Sequence, residues 1–354
     1  MLSFLLRSAV IGTVTAAVLL LAFPNLRSGI TPEQDTNQQT PRISNQISFN
    51  DAVRRAAPAV VNIYSRKYND KDRLRLDTEG LGSGVIVSDK GYIITNYHVV
   101  AEADQIIVAL QDGRLFNSQL IGKDKRTDLA VLQIKDTNLP VIPLNPKYQA
   151  DIGDVVLAIG NPYNLGQTTT FGIISATGRA ALSSDGTQGL IQTDAAINRG
   201  NSGGALVNTR GELVGINTAS FQQATELETY GISFAIPYAL ADKIMRRLIA
   251  DGQVIRGYIG IDGRDINPAM ARLMNADNIN GILVLGVAPD SPAEKSGIMT
   301  QDIITSIDGQ TVTNRQSVID IVTELRPGTN VNVDVIRKGV TQTIPLMIEE
   351  DPAD

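Results

Sequence analysis

The sequence predicts a mostly β protein: an all-β domain followed by a small α/β module and preceded by one apolar helix. Three observations carry this reading. Short β-type runs recur from Ala59 to about Pro237. The hydrophobic period then becomes helical over Tyr238 to Asp251, and near the amino end 19 uncharged residues separate Arg7 from Arg27.

The first element is the apolar one. Rich in Leu, Val, Ala and Ile, it would span about 29 Å as a helix, which matches a bilayer core. A cleaved signal peptide is the rival reading, but its apolar stretch should end in a small-x-small site, and this one ends L-L-L-A-F-P-N. Residues 1–27 are therefore read as a retained transmembrane anchor. Arg7 and Arg27 flank it on both sides, so charge does not fix its orientation. Residues 28–45 are polar and aperiodic, with Pro32 and Pro41, and read as a flexible linker reaching on the order of 25 Å.

Residues 46–252 form the expected β domain. Runs such as V-V-N-I-Y-S, G-Y-I-I-T-N, L-A-V-L-Q-I and V-V-L-A-I-G are punctuated by Gly, Asp and Asn, as in antiparallel sandwiches and barrels. Leu240, Ile244, Met245, Leu248 and Ile249 then make one stripe of a helix that Gly252 ends. Residues 253–354 mix short strands with two expected helices, near Ser291 to Ser296 and from Asn314 to Leu325.

The totals bound the function. At 354 residues the chain exceeds a single compact core, and 43% hydrophobic with 19% charged residues is the balance of a folded protein. A net charge of -6 repels phosphate backbones, so no nucleic-acid partner is expected. With no cysteine there is no disulfide, thiolate site or thiol nucleophile, and one histidine argues against an imidazole-rich metal centre. Neither a metal nor a cofactor is expected.

That one histidine, His98 in T-N-Y-H-V-V, is the most informative residue. Asp128 follows in T-D-L-A-V-L and Ser202 in G-N-S-G-G-A. A serine nucleophile needs a base that takes a proton near neutral pH, and imidazole does so without large tuning. His98, Asp128 and Ser202 are the candidate catalytic residues. Gly200 lets the backbone turn so that its N–H and that of Ser202 converge on one oxyanion position.

Through T-N-Y-H-V-V, D-L-A-V-L and G-N-S-G-G-A-L-V-N the sequence resembles the HtrA (DegP-like) serine proteases, from about Phe49 to the carboxyl end. The resemblance implies a trypsin-like double β-barrel, with Asp128 orienting His98 and Ser202 as nucleophile. It places the oxyanion loop at Asn198, Arg199, Gly200 and Asn201, with no catalytic role for Arg199. A specificity pocket is expected from Ile197 and the strand Ile216 to Ser220, with a small aliphatic residue before the cut.

The carboxyl-terminal module resembles a PDZ domain, through V-A-P-D-S-P-A-E-K-S-G-I and Q-D-I-I-T-S-I-D-G-Q. Tyr258, Ile259, Gly260 and Ile261 are then the candidate carboxylate-binding loop, a nest of backbone N–H groups beside a strand edge. Val318 and Ile321 would line the pocket for the ligand's last side chain. One such module, a retained anchor and a short segment from Ser65 to Thr78 point to the DegS branch of that family. There Arg179 matches an arginine that links the PDZ and activation loops.

The implied function is that of an inner-membrane-anchored, periplasmic, homotrimeric stress-sensor endopeptidase. Exposed carboxyl termini of misfolded outer-membrane proteins would activate it through the PDZ domain, and its substrate would be a membrane-bound anti-sigma factor. Two alternatives stand beside this: a general envelope quality-control protease of the same family, and a catalytically silent PDZ adaptor.

Overall fold

The computed structural model describes residues 2–23, 48–68, 76–161, 166–179, 189–198, 200–218, 231–266 and 280–352. The chain divides into two units, residues 1–48 and 49–354.

In the first unit, helix α1 (Leu2–Ala22) carries the apolar run, and Leu5–Ala22 is long and apolar enough to cross a membrane, with a mean hydropathy of 2.0. It stops short of Arg27 because Phe23 precedes Pro24, and a residue before proline is pushed out of the helical region.

The second unit opens with a helix that no sequence pattern announced, α2 (Asn50–Ala56), whose Ala52 and Ala56 are buried. Seven strands follow: β1 (Val60–Tyr68), β2 (Leu76–Ile86), β3 (Tyr92–Thr95), β4 (Gln105–Ala109), β5 (Leu115–Asn117), β6 (Gln119–Asp124) and β7 (Leu129–Gln133). They form one antiparallel sheet in the order β5-β4-β1-β2-β3-β7-β6. Strands from β4 to β7 all feed one apolar cluster, including Ile63, Ile86, Ile93, Val108 and Leu132, so the sheet curls around it. A single helical turn, α3 (Tyr97–Val100), leaves the end of β3.

The next six strands, β8 (Val155–Gly160), β9 (Thr168–Arg179), β10 (Leu190–Thr193), β11 (Ala205–Asn208), β12 (Leu213–Thr218) and β13 (Ser233–Pro237), close into a barrel in the order β10-β13-β12-β11-β8-β9. The near-continuous apolar runs now have a cause. Side chains alternate along a strand, and here both faces are buried. Val156, Ala158, Leu206 and Ala235 point into the barrel. Their neighbours Leu157, Ile159, Val207 and Phe234 join a shared core with Val85, Ile94 and Val131 from the first sheet. The two halves are thus held face to face by apolar burial, the main driving term for such packing.

Helix α4 (Tyr238–Asp251) adds Ala241, Ile244 and Leu248 to the shared core and ends at Gly252 with φ 75°, a left-handed cap that suits glycine. The module beyond it contains β14 (Gly257–Tyr258), β15 (Ile261–Asp265), β16 (Ile282–Val287), α5 (Pro292–Lys295), β17 (Ile303–Ile307), β18 (Gln310–Thr311), α6 (Arg315–Glu324), β19 (Asn330–Arg337), β20 (Val340–Met347) and β21 (Glu349–Glu350). Strand β14 pairs with β21, and β15 is the edge of the sheet β15-β16-β17-β19-β20. Both helices of the module fall where the sequence placed them, because Ser291 and Asn314 accept hydrogen bonds from the N–H groups of Glu294 and Ser317 as N-caps.

The β11–β12 turn shows how local chemistry fixes this frame. Asn208 Oδ1 accepts the N–H groups of Arg210 and Glu212 at 2.9 and 3.1 Å, and Arg210 and Asn208 both donate to Glu212 Oε2 at 2.7 Å. Hydrogen bonds from Arg210 first, then Asn208, hold the Glu212 carboxyl down to about 2. A depressed carboxyl stabilises the fold above its unfolded value and loses that contribution as pH falls through the folded one. Unfolding free energies from urea titrations between pH 5 and 2 should fall, and Glu212→Gln should flatten that fall by roughly 1 kcal/mol, discounted for solvent screening.

Candidate active site

Asp128 is the centre of the site. It closes the turn between β6 and β7 at φ 55°, a left-handed conformation that Asp tolerates better than most residues. Its carbonyl oxygen thereby accepts the N–H of Tyr97 at 3.0 Å and the side-chain amide of Asn96 at 2.9 Å. Its carboxylate faces the same turn. Oδ1 accepts the backbone N–H of His98 at 3.0 Å, and ring Nδ1 lies 2.9 and 2.8 Å from Oδ1 and Oδ2. A carboxylate only accepts, so the ring proton sits on Nδ1 and the Nε2 lone pair is left as the basic position.

The second barrel completes this arrangement. Thr218, the last residue of β12, donates its hydroxyl to Asp128 Oδ2 at 3.1 Å. The preceding Asn217 carbonyl accepts the N–H of Gly203 at 2.9 Å, and the Ser202 carbonyl accepts the N–H of Ser83 in β2 at 2.8 Å. The serine loop is therefore hydrogen-bonded to both halves at once. Gly203, at φ 81°, passes so close to the first half that a Cβ would stand 2.1 Å from the Ser83 carbonyl oxygen and 2.4 Å from Thr95 Oγ1. No other residue fits there. Ser202 is 3% exposed, and the imidazole and carboxylate are 27% and 17% exposed.

The loop expected to hold the oxyanion is described at Asn198, Gly200 and Asn201. Ser83 Oγ donates to the Gly200 carbonyl at 2.8 Å, Gly200 has φ 100°, and the Asn201 N–H closes a turn onto the Asn198 carbonyl at 2.9 Å. Arg199 lies outside the described residues. Among the described residues the buried amides of Asn201, at both polar atoms, and of Asn96 and Asn217, at Oδ1, have no partner. The two residues expected in the specificity pocket face different cores: Ile197 packs inside the barrel and Ile216 in the shared core. Ser220 lies outside the described residues.

Residues 82–216 match the trypsin-like peptidase domain family, and residues 257–348 match the PDZ domain family. The serine endoprotease DegS of Escherichia coli (strain K12) is 54% identical over 99% of this chain and 98% of its own length. The chain belongs to the HtrA family of serine endoproteases. The DegS of Haemophilus influenzae is 46% identical over the full length of both chains. Among solved structures, the serine endoprotease from Yersinia pestis superposes with a TM-score of 0.71 at 52% identity, covering 86% of this chain and 98% of that one. The HtrA-type protease AlgW with a tripeptide gives 0.77 at 44% identity, over 86% and 98%. The protein is a serine endopeptidase with a trypsin-like domain and one PDZ domain.

In the PDZ domain of this HtrA protein, the candidate carboxylate loop runs from Tyr258 at the end of β14 through Ile259 and Gly260 to Ile261 at the start of β15. The carbonyls of Ile259 and Gly260 accept the N–H groups of Ala293 and Ala288, each at 2.9 Å. Trans peptides then direct the N–H groups of Gly260 and Ile261 to the opposite side, as an anion requires. Gly260 has φ 78°, and a Cβ there would meet the Ser291 Cβ at 2.2 Å. Edge strand β15 leaves room for an added strand, with α6 packed beside it. Val318 and Ile321 are 5% and 8% exposed and belong mainly to the domain core.

No local sequence pattern marks the contacts between the two domains. Arg256, directly before β14, donates to Asp124 Oδ1 and Oδ2 at 3.1 and 2.7 Å, with both side chains 6% exposed. Arg126 donates to Asp351 at 2.8 Å, and Asp351 N–H to the Arg256 carbonyl at 3.1 Å. Asp124 also accepts the Thr127 hydroxyl at 2.5 Å. The turn that ends in Asp128 is thus held by the residues that flank the first and last strands of the PDZ domain, Arg256 and Asp351. Arg179 closes β9 opposite Leu190, and its side chain lies outside the described residues.

Two outcomes follow for peptide hydrolysis. His98→Ala and Ser202→Ala should each lower kcat on the order of 10⁴-fold or more, and the double variant should lose little beyond either, because the residues act as a unit. Thr218→Val removes a hydrogen bond to a charged group and should lower kcat/KM by about tenfold.

Proposed function

We propose that this HtrA-family periplasmic serine protease is a membrane-anchored stress sensor, divided as residues 1–27, 28–45, 46–252 and 253–354 into anchor, linker, protease and PDZ domain. In its chemistry His98 Nε2 takes the proton from Ser202 Oγ as the hydroxyl attacks the substrate carbonyl. Asp128 keeps the ring in that tautomer and stabilises the imidazolium. The N–H groups of Gly200 and Ser202 hold the oxyanion, and His98 returns the proton to the leaving amine.

The activating ligand is the exposed carboxyl terminus of a misfolded outer-membrane protein, bound at Tyr258–Ile261. The substrate is a membrane-bound anti-sigma factor, cut in its periplasmic part. The single observation that carries this reading is the buried Arg256–Asp124 pair, which ties the residue before the carboxylate loop to the turn of Asp128. The unpartnered amide of Asn201 and the unpartnered Oδ1 atoms of Asn96 and Asn217 support a resting site that another arrangement would satisfy better, since each such group costs about 1–3 kcal/mol. Arg179, at the end of β9, is a candidate positioning residue for the same switch. A ligand shifts such an equilibrium only by its differential affinity for the two states.

The length and apolar character of α1 support a single span of the inner membrane, with the catalytic domain in the periplasm. Phe171, 58% exposed and stacked on Phe49 at 5.4 Å, offers an apolar patch that a homotrimer would cover.

The test is peptide cleavage by the full-length protein with and without peptides ending in aromatic residues. Stimulation is expected, with loss of response on removing residues 257–354. Arg256→Ala should reduce fold stimulation by about tenfold or more, because it leaves Asp124 buried without its partner. Equal stimulation in that variant would rule out coupling through this pair.

A further inference from the structure

Next to the imidazole lies a cleft of about 260 Å³ that the reaction chemistry does not use. It is built entirely by the first half of the protease domain: Ser65 and Arg66 of β1, Gly80 of β2, and His98, Ala101 and Glu102 from α3 onward. Its opening depends on two local features. A bulge between Ser65 and Arg66 breaks the β1–β2 register, which re-aims the side chains on either side. Gly80 carries no side chain where a Cβ would already stand 3.2 Å from both Ser65 Cβ and the Val99 carbonyl oxygen.

The charge around the cleft runs against the rest of the protein. The whole chain is acidic, at -6, yet the rim presents Arg66 and Lys123 with no carboxylate partner among the described residues. Lys123 borders the cleft through the Tyr97 ring at 5.7 Å and the Ala101 carbonyl at 3.5 Å. Among the described residues, the acidic groups beside the cleft are already engaged. Glu102 pairs with Lys67 at 2.8 Å, and Asp104 accepts the Tyr68 N–H at 2.9 Å while its own N–H donates to the Arg66 carbonyl. A guanidinium stays charged at any physiological pH and presents a planar fork suited to a carboxylate.

The direction of the substrate decides which residue enters. Ser202 and the β12 residues around it belong to the second barrel, whereas the cleft lies wholly in the first half, beyond the imidazole. His98 must hand its proton to the leaving amine, so the chain beyond the cut passes the imidazole and continues over the first half. We infer that this cleft receives the first residues after the scissile bond and that Arg66 selects an acidic side chain there. The assignment rests on the triad reading above and deepens it by naming a substrate class: chains with Asp or Glu within the first three positions after the cut.

The test is a peptide series identical before the cut, with Glu, Gln or Lys at the first, second or third position after it, assayed for kcat/KM with full-length protein. Glu should exceed Lys by about fivefold at one of these positions, the size of a partly exposed ion pair. In Arg66→Glu that ratio should invert, and in Arg66→Gln it should approach one. The ratio is internal to each variant, so lower yield or stability does not affect it, and Arg66→Gln serves if the charge reversal fails to fold. An unchanged ratio in both variants, or a charge preference found only before the cut, would overturn the proposal. Cleavage surviving Ser202→Ala would instead overturn the triad assignment, leaving the charge ratio to be read separately.

Discussion

The geometry of this site depends on where the Asp128 carboxylate is held. Its backbone is fixed in a left-handed turn, its carbonyl accepts from Asn96 and Tyr97, and its oxygens accept from His98 and Thr218. These donors come from two parts of the fold. The donors from the β3–α3 segment set the imidazole, and the one from β12 locks the second barrel to it. With the Nδ1 proton committed to this carboxylate, the ring has one basic nitrogen to offer.

That constraint explains the packing around it. A carboxylate shared between two halves stays in register only if the halves do not slide, and the shared core of Val85, Ile94, Val131, Leu157, Val207 and Phe234 prevents sliding by burying both strand faces. The serine loop uses the same logic, with Ser83 on one side and Asn217 on the other. Through Asp124 and Arg256 the turn of Asp128 also touches the entrance of the PDZ domain, so that domain and the candidate catalytic aspartate share one short segment.

Much of this was legible in the sequence because it was periodic or compositional. Strand positions followed from β-type runs, α4 from its stripe and Gly252, and the candidate triad from the solitary histidine, while α5 and α6 fell where the sequence placed two helices. The rest was not legible because it depends on contacts between distant residues. Asp124 and Arg256 are 132 positions apart and carry no local signature of pairing. Thr218 and Ser83 read as ordinary strand residues until the fold sets their hydroxyls against Asp128 and the Gly200 carbonyl. Helix α2 is only seven residues long, too short for periodicity to mark, and is held by Ala52 and Ala56 against the shared core. The specificity pocket was read too simply, since alternation along β12 turns Ile216 inward to the shared core.

The central claim is that the one imidazole activates one hydroxyl. The most direct measurement is labelling of the full-length protein with a serine-directed phosphonate, followed by mass mapping of the adduct. A single adduct on Ser202, formed in the native chain, slowed by orders of magnitude in His98→Ala and absent in Ser202→Ala, is the predicted result. An adduct on another serine, or a labelling rate indifferent to His98, would contradict the account.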